Sequence, residues 1–137
     1  MGQAGLAAVT PLEAARDYVR RGWCVVPIPY KQKRPVLKEW EQLRLSEADL
    51  DQYFDQPANV GLILGEPSGN LVDVDLDCVE ARAIASNYLP ATAAKSGRAG
   101  AADSHWWYIA ADAKTVQHRD PVTRQMIVEL RSTGGQT

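Results

Sequence analysis

The stretch Val72-Asp73-Val74-Asp75-Leu76-Asp77 decides how the chain folds, because apolar and acidic residues alternate in it without a break. A period of two is typical of a β-strand, whose successive side chains point to opposite faces. The apolar residues are therefore expected to face a core, and the three carboxylates to share the other face. Neighbouring carboxylates on a rigid strand are the hard oxygen ligands that Mg²⁺ or Mn²⁺ prefers. The open alternative is an edge strand whose acids are solvated.

A second apolar strand with an acid in its middle is Met126-Ile127-Val128-Glu129-Leu130-Arg131. Glu129 is a candidate third carboxylate, and Arg131 shares its face at a period of two. Arg131 either contacts a substrate phosphate or neutralises one of the acids. His105 follows Ser104 at the entry to another strand, where an imidazole can bind a phosphate, ligate a metal, carry a proton or serve structure alone.

Two basic segments are candidates for phosphate contacts, although both are also typical of solvated loops. The first is the loop of residues 30–40, which contains Lys31, Lys33, Arg34 and Lys38, and the second brackets a Ser-Gly pair with Lys95 and Arg98. The aromatic run of residues 106–108 offers a ring for base stacking, but core packing of alternate residues is its expected use.

The surrounding sequence predicts helices mainly in the first half and strands in the second. Helices are predicted over residues 11–21, 46–54 and 79–88, and strands over 23–28, 59–64, 71–77, 105–110, 115–118 and 125–131. Turn residues 65–70 predict a hairpin between the strands that flank them, and residues 96–103 predict a glycine-rich connection. The predicted fold class is α+β, or mixed α/β.

Composition narrows the class of protein. The 137 residues, 45% of them hydrophobic and 23% charged, suit one folded domain rather than a disordered chain. The longest apolar stretch is too short for a bilayer and residues 1–10 lack a secretion signal, so a cytoplasmic protein without a membrane partner is expected. Cys24 and Cys78 match no paired motif and are expected to be buried free thiols. A net charge of −2 argues against a surface that coats nucleic acid, so polyanion binding needs a local patch or metal ions.

In their order along the chain, these motifs resemble the primase–polymerase (Prim-Pol) domain of the archaeo-eukaryotic primase superfamily, found at the N-terminus of phage, plasmid and bacterial replication proteins. The family's opening helix, strand, Lys/Arg-Pro loop and Trp resemble residues 14–40. Its Asn-x-Gly and Gly-x-x-Ser-Gly motifs resemble residues 59–61 and 65–69. Its Asp-x-Asp motif has two registers here, Asp73 with Asp75 or Asp75 with Asp77, and the spacing from residues 68–69 favours the second. Its later motifs resemble Ser104-His105 and residues 128–131, where Glu129 replaces the commoner Asp.

The resemblance implies a core with a mainly antiparallel sheet flanked by helices, and a DNA primase and polymerase. Such an enzyme transfers nucleotides from NTP or dNTP to a 3′-hydroxyl on a single-stranded DNA template, through two Mg²⁺ or Mn²⁺ ions bridged by the nucleotide phosphates. The implied metal ligands are carboxylates: Asp75, Asp77 or Asp73, and Glu129. The residues implied at the nucleotide are polar or basic: Ser104, His105, Arg131, Lys33 and Arg98. A helicase domain or helicase partner in the parent protein is also implied.

We expect residues 1–10 to form an N-terminal extension and residues 11–137 the catalytic domain. The family's chain continues past the Gly-Gly pair at 134–135 into a strand and a Pro-Pro-Ser segment, so a C-terminal truncation is expected. Two rival functions stay open: a catalytically silent nucleotide- or DNA-binding module of a replication protein, and a two-metal nuclease. The sequence also leaves open the preference between NTP and dNTP, the template start site and the oligomeric state.

Overall fold

The computed structural model describes residues 9–137, and they divide into two compact units. The first unit ends at Leu62, and the second runs from Ile63 to Thr137. Most of the expected N-terminal extension, residues 1–8, lies outside the described residues. None of the helices in the described chain has the length and apolarity that crossing a bilayer requires.

The first unit opens with helix α1 (Pro11–Arg20), whose start is fixed by its sequence. Thr10 Oγ1 accepts a hydrogen bond from the Glu13 amide at 3.1 Å, and Glu13 Oε2 accepts one from the Thr10 amide at 3.3 Å. This reciprocal pair satisfies two amides that the first turn leaves without helical partners. Pro11 suits the first turn because it has no amide hydrogen to satisfy. The helix therefore begins where the sequence predicts.

A two-stranded sheet of β1 (Cys24–Pro29) and β2 (Ala58–Ile63) follows. The predicted second helix is divided into a 3₁₀ turn, Glu47–Asp49, and a short helix α2 (Leu50–Tyr53). Apolar side chains of these elements, and of Phe54 directly after α2, form the interior of the unit. Its buried hydrophobic residues are Ala15, Val25, Val26, Ile28, Leu50, Phe54, Ala58 and Leu62.

The second unit is built on a five-stranded antiparallel sheet. Its strands are β3 (Leu71–Leu76), β4 (Lys95–Arg98), β5 (Ala101–Ile109), β6 (Val116–Arg119) and β7 (Met126–Arg131). They lie in the order β4-β5-β3-β7-β6, and each neighbouring pair is antiparallel. Residues 71–76 thus form the central strand and are all buried, so the alternative of a solvated edge strand is wrong. Asp77, the last residue of the acidic stretch, lies just beyond β3 and is exposed.

Helix α3 (Val79–Tyr88) covers one face of this sheet. Ala81 and Ala85 of the helix belong to one apolar cluster with Val74, Leu76 and Trp106 of the strands. The small alanines allow the helix to approach the sheet closely, and the apolar half of the acidic strand faces them. The predicted alternation along β3 and the predicted α+β class are both confirmed.

The predicted hairpin across residues 65–70 is wrong. Strand β2 pairs with β1, whereas β3 pairs with β5 and β7. The turn residues instead form a 3₁₀ turn, Glu66–Ser68, and Gly65 makes an isolated bridge with Leu71. The turn signal was correct, but turn residues do not specify which strands pair.

Residues 96–103 are not a glycine-rich connection. They belong to the hairpin of β4 and β5, whose register shifts between Ser96 and Arg98. Gly97 stands at this irregularity, where an added Cβ would overlap the carbonyl oxygen of Ala101. Glycine is therefore needed because the two backbones approach closely, which is its usual role at a bulge.

The last residues also pack within the second unit. Gln136 forms an isolated bridge with Ile63, and the Gly135 carbonyl accepts a hydrogen bond from the Leu64 amide at 3.0 Å. Cys24 and Cys78 are both thiols, as expected, but half-buried rather than buried. Cys78 has a structural role, since its sulfur accepts a hydrogen bond from the Ala81 amide at the start of α3.

Candidate functional site

The face of the five-stranded sheet opposite α3 carries a row of polar side chains. In the strand register, Asp75 of β3 lies between His105 of β5 and Glu129 of β7. The row continues to Ser96 on β4 and Gln117 on β6. Directly opposed residues in antiparallel strands have Cβ atoms only about 5 Å apart on the same face. Each strand therefore contributes one polar side chain to the centre of this face.

A second row lies two residues along the strands. There, Asp73 is flanked by Trp107 of β5 and Arg131 of β7. The Trp107 indole nitrogen donates a hydrogen bond to Ser96 Oγ at 3.0 Å, and the indole stacks with the His105 ring at a centroid distance of 6.2 Å. The two rows are thus tied to each other by side-chain contacts.

His105 is held by the acids of the central strand. Its Nδ1 lies 2.8 Å from Asp73 Oδ2 and 3.7 Å from Asp75 Oδ1. The hydrogen bond to Asp73 raises the pKa of His105, and the charges of both aspartates add to this against the opposing effect of burial. The positively charged imidazolium is therefore favoured at this position.

Arg131 neutralises one acid on its own strand, β7, and one on the neighbouring strand β3. Its guanidinium lies 3.0 Å from Asp75 Oδ2 and 2.6 Å from Glu129 Oε1. The other carboxylate oxygen of Glu129 accepts a hydrogen bond from Gln117 at 2.6 Å. Burial acts to raise the pKa of Glu129, but the hydrogen bonds from Gln117 and Arg131, together with nearby arginine charges, lower that pKa overall. Of the two roles predicted for Arg131, these contacts show the neutralisation of acids. Its contact with a substrate phosphate stays a prediction.

Asp75 and Asp77 have raised pKa values. Burial raises the pKa of Asp75, although the charges of His105 and Arg131 oppose the shift. Asp77 is exposed and follows the end of β3, where its amide donates to the Ile127 carbonyl at 2.9 Å. Partial desolvation raises its pKa, Arg131 opposes the shift, and the nearby charge of Glu129 adds to it. Both carboxylates would gain from an additional cation.

The donor chemistry of this face fits a hard divalent cation. Asp75 and Glu129 lie directly opposite each other on adjacent strands, and Asp77 continues the same face at its exposed end. Carboxylate oxygens on a rigid support are what Mg²⁺ and Mn²⁺ require. Among residues 9–137, no three His, Cys, Asp or Glu side chains converge as a ready-made metal site. The positive charge between the two central acids comes instead from Arg131.

Two of the predicted site residues, Ser104 and Arg98, do not join this cluster. Ser104 is buried beside His105 in sequence, but alternation along β5 points its side chain to the opposite face. Arg98 is exposed at the end of β4, near the hairpin turn. Lys33 belongs to the first unit, so its contact with a nucleotide stays a prediction.

Sequence reasoning missed Gln117 and Ser96. Each is one of several polar residues in a short edge strand, and nothing in its immediate sequence distinguishes it from a surface residue. Only the strand register identifies them, because it places both residues in the same row as the central acid. Register between distant strands is decided by tertiary packing and cannot be obtained from local patterns.

The second unit is an α+β domain in which a helix covers one face of an antiparallel sheet. The other face carries acids, an imidazole and an arginine, which form a charged site for polar ligands. The chain belongs to the family of bifunctional DNA primase/polymerase N-terminal domains (Prim-Pol), whose sequence profile matches residues 15–137. This result confirms the resemblance seen in the motifs and identifies a primase/polymerase-type replication domain. No curated protein matches the chain at a significant level.

Proposed function

We propose that this domain performs nucleotidyl transfer in a DNA primase/polymerase. It adds nucleotides from NTP or dNTP to a 3′-hydroxyl on a single-stranded DNA template, beside a helicase domain or a separate helicase. The observation that carries the proposal is the placement of Asp75 between Glu129 and His105 on the three central strands. Membership of the Prim-Pol family supplies the class of reaction.

The acids of the central strands hold the metal in this proposal. Asp75, Asp77 and Glu129 are its ligands, and Mg²⁺ or Mn²⁺ is the cation. When bound, such ions neutralise phosphate charge and lower the pKa of an attacking hydroxyl. Asp75 and Asp77 suit this task because desolvation disfavours their charged forms when no further cation is present.

His105 and Arg131 act on the phosphates of the nucleotide. The Nδ1 atom of His105 is engaged by Asp73, so Nε2 is the ring nitrogen that can donate to a phosphate oxygen. Arg131 has a guanidinium fork that suits a phosphate as well as a carboxylate. Its pairs with Asp75 and Glu129 compensate those acids. A cation held by these acids would supply that compensation and would leave the guanidinium for the triphosphate.

Extension of a primed single-stranded template in the presence of Mn²⁺ or Mg²⁺ tests the proposal. Asp75→Asn and Glu129→Gln are each expected to reduce extension by at least about a hundredfold, because each removes a ligand charge where transition-state charge is stabilised. Glu80→Gln is the matched control, since Glu80 is an exposed acid on α3, which covers the opposite face. Unchanged extension by Asp75→Asn would refute the carboxylate assignment.

A catalytically silent nucleotide-binding module is the second candidate. One observation favours it: Arg131 already compensates Asp75 and Glu129, and the described side chains form no ready-made group of three ligands. This candidate predicts that dNTP binding survives simultaneous replacement of Asp75, Asp77 and Glu129 by alanine, with no extension by the parent chain. A parallel incubation without nucleotides checks for strand scission, which would indicate a two-metal nuclease.

A further inference from the structure

Asp73 is the acid of β3 to which the proposed function gives no role. It is 0% exposed, and one of its carboxylate oxygens, Oδ1, has no hydrogen-bond partner within the described part of the chain. A buried polar atom without a partner destabilises a fold. The other carboxylate oxygen, Oδ2, does have a partner, the ring of His105.

The strand register separates Asp73 from the candidate metal ligands. Asp75 lies directly opposite Glu129, whereas Asp73 lies opposite Arg131, two residues further along the strand. A cation shared by acids of β3 and β7 therefore lies nearer to Asp75 and to Asp77 beyond it. Asp73 is farther from the exposed end of the row and has no solvent-accessible surface.

The other oxygen of Asp73 fixes the ring of His105. His105 lies opposite Asp75 in the register, yet its Nδ1 is closer to Asp73 Oδ2, at 2.8 Å, than to Asp75 Oδ1, at 3.7 Å. The ring is thus turned towards its diagonal neighbour and stacks on Trp107. A carboxylate accepts hydrogen bonds only, so Nδ1 carries the proton and Nε2 remains available to a ligand.

We propose that Asp73 is a positioning residue that orients the His105 ring, with Nδ1–H toward the Asp73 carboxylate and Nε2–H toward the nucleotide phosphate, and that Asp73 is not a metal ligand. The inference rests on the proposed function, because it assigns His105 to the nucleotide. It also decides between the two registers of the Asp-x-Asp motif in favour of Asp75 with Asp77.

Imidazole ¹⁵N NMR of histidine-labelled protein tests the positioning role. The chain has only two histidines, so His105→Gln assigns the spectrum and the His118 ring serves as an internal reference. Spectra are recorded at about pH 9, above the ordinary pKa of histidine. We expect the Nδ1–H tautomer in the parent chain and in Asp73→Asn, whose amide oxygen still accepts from Nδ1. In Asp73→Ala, the signals should change to the Nε2–H tautomer.

Binding measurements test the second half of the proposal. Mn²⁺ affinity, followed by electron paramagnetic resonance, should be unchanged in Asp73→Asn and at least about tenfold weaker in Asp75→Asn. The affinity for a nucleoside triphosphate should fall about tenfold in Asp73→Ala and recover in Asp73→Asn, because the conservative variant restores the acceptor.

The outcomes separate this inference from the proposed function. An Nε2–H tautomer in the parent chain, or equal loss of Mn²⁺ affinity in Asp73→Asn and Asp75→Asn, overturns the inference. If Asp73→Ala does not fold, the parent spectrum and the Asp73→Asn affinities still decide it. If the tautomer results hold but Asp75→Asn and the parent chain bind Mn²⁺ equally, the proposed metal site fails and the positioning of His105 stands.

Discussion

Arg131 is the residue that balances charge on the polar face of the sheet. Its guanidinium contacts Asp75 and Glu129, whose side chains are only 9% and 11% exposed. Removing one partner of such a cluster leaves buried acids without compensation, which is far more destabilising than losing an exposed ion pair. We therefore expect Arg131→Gln to lower the free energy of unfolding by about 2–4 kcal/mol in metal-free buffer.

Arg21→Gln is the control for this prediction. Arg21 pairs with Asp17 at 3.0 Å, but both side chains are more than half exposed, so the expected loss is below about 0.5 kcal/mol. Urea unfolding measures both variants. Mn²⁺ should restore part of the stability of Arg131→Gln, because it supplies the missing positive charge. Equal losses in the two arginine variants would contradict the assigned charge balance.

His105 makes stability depend on pH in a defined direction. Its pKa in the folded chain is raised above the ordinary value of 6.5, mainly by the hydrogen bond to Asp73. A group with a raised folded pKa contributes stability that is fully present below its unfolded pKa and is lost as the pH rises through its folded pKa. The contribution of His105 should therefore decline from about pH 6 upwards.

Urea midpoints at about pH 6, 7, 8 and 9 check this dependence across the histidine range. The parent chain should lose stability over this series relative to His105→Gln, in which the titrating ring is absent. His118→Gln is the matched control, because His118 is exposed on β6. If the urea midpoints of the parent chain and of His105→Gln changed equally with pH, the Asp73 contact would contribute no stability.

At the scale of elements, the turn before β3 depends on Gly65. Its φ is +81°, and an added Cβ would overlap the backbone nitrogen of Thr133. Gly69 has a comparable φ of +66° but open space around the same position. Gly69→Ala should therefore destabilise by about 1 kcal/mol through backbone strain alone. Gly65→Ala should destabilise by at least twice as much, measured by urea unfolding, because the strand end must also move.

Two adjacent tryptophans on β5 lie on opposite faces of the sheet, one apolar and one polar. Trp106 is 6% exposed in the apolar cluster, whereas Trp107 lies on the polar face against His105. Trp106→Ala should cost about 3–5 kcal/mol of stability, as expected for a large core side chain. Trp107→Ala should cost less stability but reduce nucleotide affinity. If both variants lose the same stability, the assignment of faces is wrong.

Local sequence patterns predicted the elements better than their pairing. The alternation from Val72 to Asp77 identified a strand and both of its faces, and the Thr10–Glu13 box identified the start of α1. The hairpin at residues 65–70 and the loop at 96–103 were wrong, because strand partners are chosen by packing over long sequence distances. The motif resemblance singled out Asp75, Glu129 and His105, which the strand register brings together, and their roles stay predictions. The neighbouring Gln117 and the contact of Asp73 with His105 could be found only from the register.

At the scale of the whole molecule, charge constrains how a polyanion binds. The net charge is −2, and the polar face of the second unit has more acids than bases. A nucleoside triphosphate brings further negative charge to this face, so repulsion opposes binding until cations neutralise the carboxylates. We expect triphosphate binding to be lost in EDTA and restored by Mn²⁺ or Mg²⁺.

Thermal unfolding provides the measurement for this last prediction. A cation that binds only the folded chain, at a hundred times its dissociation constant, stabilises by about 2.7 kcal/mol, which corresponds to roughly 5–10 °C for a chain of this size. Mn²⁺ should raise the Tm of the parent chain and of Glu80→Gln by this amount, but not that of Asp75→Asn. Triphosphate should raise it further only when Mn²⁺ is present. A rise caused by triphosphate in EDTA would instead indicate that His105 and Arg131 bind the phosphates without any metal, as the silent binding module requires.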